Sequence, residues 1–351
     1  MPAFPVSIKQ LNKQWLEEAL NCNISNFQIE PLGEGIGIIG LVTRITLAGT
    51  NCPNSLIAKF QSPSPENRAI AHLFKMYERE VQFYTQVLEE VPIRAPKCFH
   101  ASFDPDSKAF ILLLEDLQGY RSGDQVAGCT IDECQQVIDT MATLHRSTWQ
   151  PDHLTDIIHH NTDFQIQGMI EGFTAGWPVV TEKFPHLVDP QTALKANNLP
   201  DHIEKLLDQI MAGPLCIAHG DMRLDNFMFG SDHVALVDFQ ALCKSAPEHD
   251  LAYFLSQSPS QAVLDDRDWV AYYHQQLTSQ GNPYSLQLCR ERYRYCTLYF
   301  LCYAVIICSA LDTANERGKK LGETLLGNAL TSIEKLDGFN TSVPGFKQLQ
   351  Y

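Results

Sequence analysis

The glycines between residues 35 and 40 fall as Gly35-x-Gly37-x-x-Gly40, and the segment after them decides which architecture can carry that spacing. A dinucleotide-binding unit needs a helix to start inside the glycines, so that the pyrophosphate rests on its N-terminus, and an acidic residue about 20 positions on for the ribose. The next ten residues are instead LVTRITLAGT, in which Leu41, Thr43, Ile45 and Leu47 alternate with Val42, Arg44, Thr46 and Ala48. Alternation rich in β-branched residues is strand chemistry. Upstream, NFQIEPL alternates as well through Phe27, Ile29 and Leu32, so the glycines read as the connection of a hairpin. On this stretch alone a plain glycine turn, a dinucleotide turn and a hairpin lid over nucleotide phosphates all stay open, with the strand pattern favouring the lid over the dinucleotide turn.

The rest of the chain divides by its periodicity. Ser7 and Gln10 before LNKQWLEEAL form a capping-box pattern, which predicts an N-terminal helix. SLIAKF, residues 55–60, reads as a third strand, with Ile57 and Lys59 on one face and Leu56, Ala58 and Phe60 on the other. From residue 68 to 90 the spacing is helical, with Tyr77, Val81, Tyr84 and Leu88 in one stripe. KAFILLLEDLQGY then supplies an apolar run that suits a strand buried on both faces. Beyond it the pattern is helical, interrupted once around residues 214–240. The expectation is an α+β chain: a small antiparallel-sheet lobe with a helix, residues 1–117, and a large mainly α-helical lobe, residues 118–351.

Bulk properties exclude several functions. The formal charge of −15 argues against nucleic acid or an anionic membrane as partner, because both demand basic patches. The N-terminal stretch has no apolar signal core, and the eleven cysteines include no Cys-x-x-Cys pair, so a cytoplasmic chain with reduced thiols is expected. Cys296, Cys302 and Cys308 recur every six residues, a rotation of about 240° per step on a helix, so they share no face for a metal. Residues 295–311 are uncharged yet fall short of the ~20 residues of a membrane span, and they read as a buried helix. His159 and His160 point apart and are expected at a solvated helix end. A monomer or weak dimer is expected.

Chemistry concentrates in LCIAHGDMRLDNFMFGSDHVALVDFQ. Asp221 and Asn226 are separated by four residues, and Asp238 ends the second of two short β-patterned runs. Phosphoryl transfer asks for such residues: a carboxylate to take the proton of an attacking hydroxyl, and oxygen donors for Mg2+. HGDMRLDN together with VDFQ resembles the catalytic loop and metal motif of the aminoglycoside phosphotransferase and choline kinase superfamily, closest to its ecdysteroid-kinase-like branch. That resemblance implies a protein-kinase-like fold with ATP and Mg2+ as cofactors. By position it implies Asp221 as catalytic base, Asn226 and Asp238 as Mg2+ ligands, His219 as a brace of the loop, and Arg223 as a cation toward the γ-phosphate, matched in charge only.

The same resemblance assigns the first lobe. It calls for a strand lysine paired with a helix glutamate. Lys59 lies in the right strand, and Glu80, beside Val81 on the apolar stripe, is the expected partner rather than Glu78, because a carboxylate on a buried stripe needs a counter-charge. Gly35, Gly37 and Gly40 become the lid over ATP, and LLLEDL resembles the hinge, with backbone groups of Glu115 and Leu117 toward the adenine. PEHDLAYFL resembles the segment whose acidic residue, here Asp250, anchors the catalytic region. Asp225 and the loop YRSGDQVAGCT have no assigned role. The implied function is phosphorylation of a small-molecule hydroxyl; a nucleotide-binding pseudokinase and transfer of a nucleotidyl unit are the alternatives. Asp132, Glu133, Asp163 and Glu171 would suit a cationic acceptor, and the aromatics of the helical lobe a hydrophobic alcohol.

Overall fold

The computed structural model describes residues 3–32 and 39–340. Two compact units form, one of Met1–Arg121 with Met228–Leu242, the other of Ser122–Phe227 with Cys243–Tyr351. Against the expected bounds of 1–117 and 118–351, the first unit thus runs a little further and also takes in a later segment. That segment is tied there by contacts distant in sequence: Leu236 donates its N–H to the Arg94 carbonyl at 2.9 Å, and Phe239 stacks on Phe83.

The first unit is built on five antiparallel strands, β1 (Asn23–Pro31), β2 (Gly40–Thr50), β3 (Ser55–Gln61), β4 (Cys98–Phe103) and β5 (Phe110–Glu115), in the order β1-β2-β3-β5-β4. The hairpin register sets Phe27 opposite Leu47 and Ile29 opposite Ile45, as the two alternating runs require. Leu56, Ala58 and Phe60 of β3 are fully buried with Ile45, Ile111 and Leu113, so the other face of β3, which carries Lys59, is left for chemistry. Helix α1 (Lys13–Leu20) covers the core with Leu16. Its cap is Asn12, whose side chain accepts from the Trp15 N–H at 3.0 Å; Ser7 makes no capping bond, and Gln10 instead accepts from Val6. The helix expected over 68–90 is broken in two, α2 (Pro65–Leu73) and α3 (Met76–Gln82), because Lys75 between them takes the left-handed backbone at φ 53°.

The second unit is helical: α4 (Ile131–Ser147), α5 (Asp163–Lys183), α6 (Pro190–Asn197), α7 (Ile203–Met211), α8 (Glu248–Gln257), α9 (Gln261–Leu264), α10 (Trp269–Leu277), α11 (Leu286–Ala310) and α12 (Glu316–Lys335). The uncharged run 295–311 falls almost wholly in α11, which packs against α5, α7, α8, α10 and α12. Among the described residues α11 alone is long and apolar enough to cross a membrane, and 67% of its most apolar stretch is buried inside the protein. Being surrounded explains why it is apolar nearly all round. Its buried Arg292 is satisfied by donating to the carbonyls of Ile210, at 2.8 and 3.1 Å, and Pro214, at 2.8 Å, with Glu248 3.8 Å away. All eleven cysteines are free thiols.

Candidate active site

In the first unit β3 and α3 bring three charged groups together. The Lys59 ammonium lies 2.5 Å from Glu80 Oε1 and 2.7 Å from Asp238 Oδ1. Glu80, not Glu78, is therefore the partner that the apolar stripe selected, and Asp238 arrives from the late segment with its backbone left-handed at φ 70°. Phe239 fixes that turn by packing on Phe83 and edge-on against Tyr84. Burial alone would lower the pKa of Lys59, but the charges of Asp238 and Glu80 outweigh it and the net shift is upward. Glu80 is pushed up to about 7, by burial first and by Asp238 beside it, against the pull of Lys59. Two carboxylates thus meet one ammonium, and the Asp238 carboxylate is a hard oxygen donor of the kind a divalent cation takes.

Gly35 and Gly37 lie outside the described residues. Gly40 opens β2, where an added Cβ would sit 3.3 Å from the Phe60 carbonyl oxygen. The stem of the glycine segment is held by Tyr77, whose hydroxyl donates to the Ile39 carbonyl at 2.6 Å and accepts from the Ser62 N–H at 2.9 Å. At the end of β5 the Glu115 N–H donates to the Lys97 carbonyl at 2.8 Å, so it is not a donor for a base. The Glu115 carboxylate pairs with Arg94 at 2.6 Å, and Leu117, nearby in sequence, is buried.

In the second unit a strand, Cys216–Ala218, pairs with Cys243–Ser245 and launches the loop that carries Asp221. Asp250, fully buried on α8, accepts the backbone N–H of His219 at 2.7 Å and of Gly220 at 2.9 Å. His145 at 3.0 Å and His249 at 3.3 Å complete its shell. Burial would raise the pKa of Asp250, but the hydrogen bonds and charges of these histidines reverse it and hold the carboxyl far below the ordinary range. His219 accepts from the Asp221 N–H through Nδ1 at 3.2 Å, the brace that the resemblance implied. Asn226 donates its amide nitrogen to the Asp221 carbonyl at 2.7 Å and to Asp221 Oδ2 at 2.9 Å, so the oxygen end of the amide is the end left for a cation. Arg223 Nε lies 3.3 Å from Asp221 Oδ2. An amide oxygen and a carboxylate are hard donors of the kind Mg2+ takes. Among the described residues there is no group of three or more His, Cys, Asp or Glu side chains placed to hold a metal ion, so nucleotide phosphates and water would have to complete any shell.

Asp225 and the loop after residue 120 now have a physical role. Asp225 Oδ2 accepts the Gln125 N–H at 3.3 Å, Gly123 donates to the Phe227 carbonyl at 2.8 Å, and the loop is thereby fastened to the segment that carries Asn226. A Cβ at Gly123 would stand 2.1 Å from the Leu224 carbonyl oxygen, backbone that cannot give way cheaply. Gly123→Ala is expected to cost about 1–3 kcal/mol of stability, the usual range for overpacking. Thermal unfolding of the purified variant measures it, and an unchanged midpoint would refute the close approach.

Sequence reasoning missed Tyr253, whose hydroxyl donates to Asp221 Oδ1 at 3.0 Å. It also misplaced His160, which is buried rather than at a solvated helix end, stacked edge-on against His249 and within 3.0 Å of the Tyr299 hydroxyl. The acidic residues considered for a cationic acceptor serve local structure where they bond: Glu133 accepts the Thr130 N–H in a capping box, and Glu171 accepts from Gln167 at 2.7 Å.

The sequence model of the ecdysteroid kinase-like family matches residues 37–282. No protein of curated function matches the sequence. Among solved structures, choline kinase from Cryptosporidium parvum is similar with a TM-score of 0.57 at 10% identity, over 95% of this chain and 94% of that one. A Ralstonia eutropha protein assigned to the aminoglycoside phosphotransferases gives a TM-score of 0.56 at 14% identity, over 93% of this chain and 97% of that one. The GDP and kanamycin complex of APH(2")-IIIa gives 0.52 at 14% identity, over 93% and 97%. These likenesses are of fold, a protein-kinase-like arrangement with an antiparallel sheet in the N-terminal lobe and helices in the C-terminal one.

Proposed function

This chain belongs to the ecdysteroid kinase-like family, and from that premise we propose that it is an ATP- and Mg2+-dependent phosphotransferase acting on a hydroxyl of a small molecule. The observation that carries the reading is the Lys59 ammonium held between Glu80 and Asp238, since a strand lysine braced by a helix carboxylate is how this chemistry presents a cation to nucleotide phosphates. The GDP in the APH(2")-IIIa complex supports nucleotide use. The residues that would hold the nucleotide are Gly35, Gly37 and Gly40 for its phosphates and the backbone at Glu115 and Leu117, through groups other than the Glu115 N–H, for its adenine. Asp238 and Asn226 supply oxygen donors for Mg2+, which when bound neutralises phosphate charge.

Asp221 aligns the acceptor hydroxyl and takes its proton as the new O–P bond forms. The bond from the γ-phosphorus to the bridging oxygen breaks, ADP leaves, and the proton on Asp221 passes to solvent. Arg223, 40% exposed at its side chain and close to Asp221, places positive charge where the transferred group is most negative.

Nucleotide binding is tested by thermal shift. ATP with Mg2+ at about a hundred times its Kd is expected to stabilise the protein by about 2.7 kcal/mol. Chelating the metal should remove most of that gain. No stabilisation by nucleotide under either condition would refute the proposal.

A further inference from the structure

We infer that Tyr253 is the positioning residue of the Asp221 carboxylate, holding its orientation through a hydrogen bond to Oδ1; the inference rests on the phosphotransferase reading above. Asp221 Oδ1 receives the Tyr253 hydroxyl at 3.0 Å, whereas Oδ2 receives the Asn226 amide at 2.9 Å and lies 3.3 Å from Arg223 Nε. A carboxylate oxygen offers about two acceptor positions. Each oxygen receives one hydrogen bond, Oδ1 from Tyr253 and Oδ2 from Asn226, and the Arg223 guanidinium beside Oδ2 is a charge contact.

An aspartate carboxylate turns easily about its terminal bond, because that torsion is broad and roughly two-fold. Donors at both oxygens stop the turning. Tyr253 is itself unable to swing away: it is buried, its ring is stacked on Phe300 at 4.7 Å and 17°, and Tyr303 lies against both rings at 5.9 and 5.0 Å. Burial, and then the charge of Asp221, raise the Tyr253 pKa well above its ordinary value, so its hydroxyl stays a donor. Asp250 and Tyr253 are three residues apart on α8, hence on one face. A single helical turn therefore holds the backbone of the catalytic loop through Asp250 and the orientation of its carboxylate through Tyr253.

The test is steady-state turnover of Mg–ATP, with water and with a panel of small alcohols as acceptors, in the wild type, Tyr253→Phe and Tyr253→Leu. Tyr253→Phe keeps the stacked ring and removes only the donor. The inference expects kcat to fall by about tenfold or more, the worth of a hydrogen bond to a charged group, with KM for ATP within about twofold and the thermal midpoint unchanged. Tyr253→Phe with wild-type kcat, whatever Tyr253→Leu does, would show that only the ring matters and overturn the inference. A loss of kcat matched by a loss of thermal stability in Tyr253→Phe would overturn it too, since that is packing. A folded wild type that cleaves no ATP with any acceptor would instead sink the phosphotransferase reading, and the inference with it.

Discussion

Asp221→Asn is expected to bind ATP as the wild type does and to turn over at least about 100-fold more slowly, the low end of what a positioned general base contributes. The asparagine keeps the size of the side chain and one oxygen, so the bonds from Tyr253 or from Asn226 can be kept at one end of the group. What it loses is the capacity to take the acceptor's proton. The comparison needs two readings on the same preparations: thermal shift with Mg–ATP, expected to be equal, and ADP release, expected to collapse. Equal turnover in the two proteins would remove Asp221 from the chemistry.

Asp250→Ala is expected to cost about 3–5 kcal/mol, because it strands buried groups rather than exposing them. Four donors converge on that carboxylate, the N–H groups of His219 and Gly220 and the rings of His145 and His249, and none of them can reach water when it is gone. At roughly 2–4 °C per kcal/mol, the thermal midpoint should drop on the order of 10 °C. The pH dependence has a definite sign. Because the folded-state pKa of Asp250 is depressed, its contribution is complete above the unfolded value of about 4 and is lost as the pH falls through the folded value. The gap in midpoint between the wild type and Asp250→Asn should therefore narrow as the pH is lowered below about 4. A gap that widens there would contradict the assignment of Asp250 as the ionised anchor.

Much of this architecture was written in local pattern. The strand after the glycines follows from alternation, and that favours a hairpin lid over a dinucleotide turn without any tertiary knowledge. Once the resemblance called for a strand lysine and a helix glutamate, Lys59 and Glu80 could be chosen because one lay on the face of β3 opposite Leu56, Ala58 and Phe60 and the other on a buried helical stripe. The features that stayed hidden depend on contacts between distant segments or on backbone exceptions. Asn12 displaced Ser7 as the helix cap, and Lys75 broke the helix before α3 by turning left-handed, a conformation that no periodicity encodes. Asp238 joins Lys59 only because residues 228–242 pack with the first unit. Tyr253 was illegible for a different reason: every residue of α8 is buried, so no polar face distinguishes the side chain aimed at Asp221 from its neighbours. His160 was likewise misread, since adjacent histidines look solvated until the helix around Tyr299 is placed beside them.

The measurement that bears most directly on the central claim tracks the γ-phosphate itself. The protein is incubated with Mg–ATP labelled in the γ-phosphoryl group and with a panel of small alcohols, and the products are identified by mass. The account predicts ADP and an acceptor heavier by one phosphoryl group carrying the label, formed by the wild type and nearly absent with Asp221→Asn. An acceptor carrying a nucleotidyl unit, or a folded, nucleotide-binding protein that leaves the label on ATP with every acceptor, would contradict it.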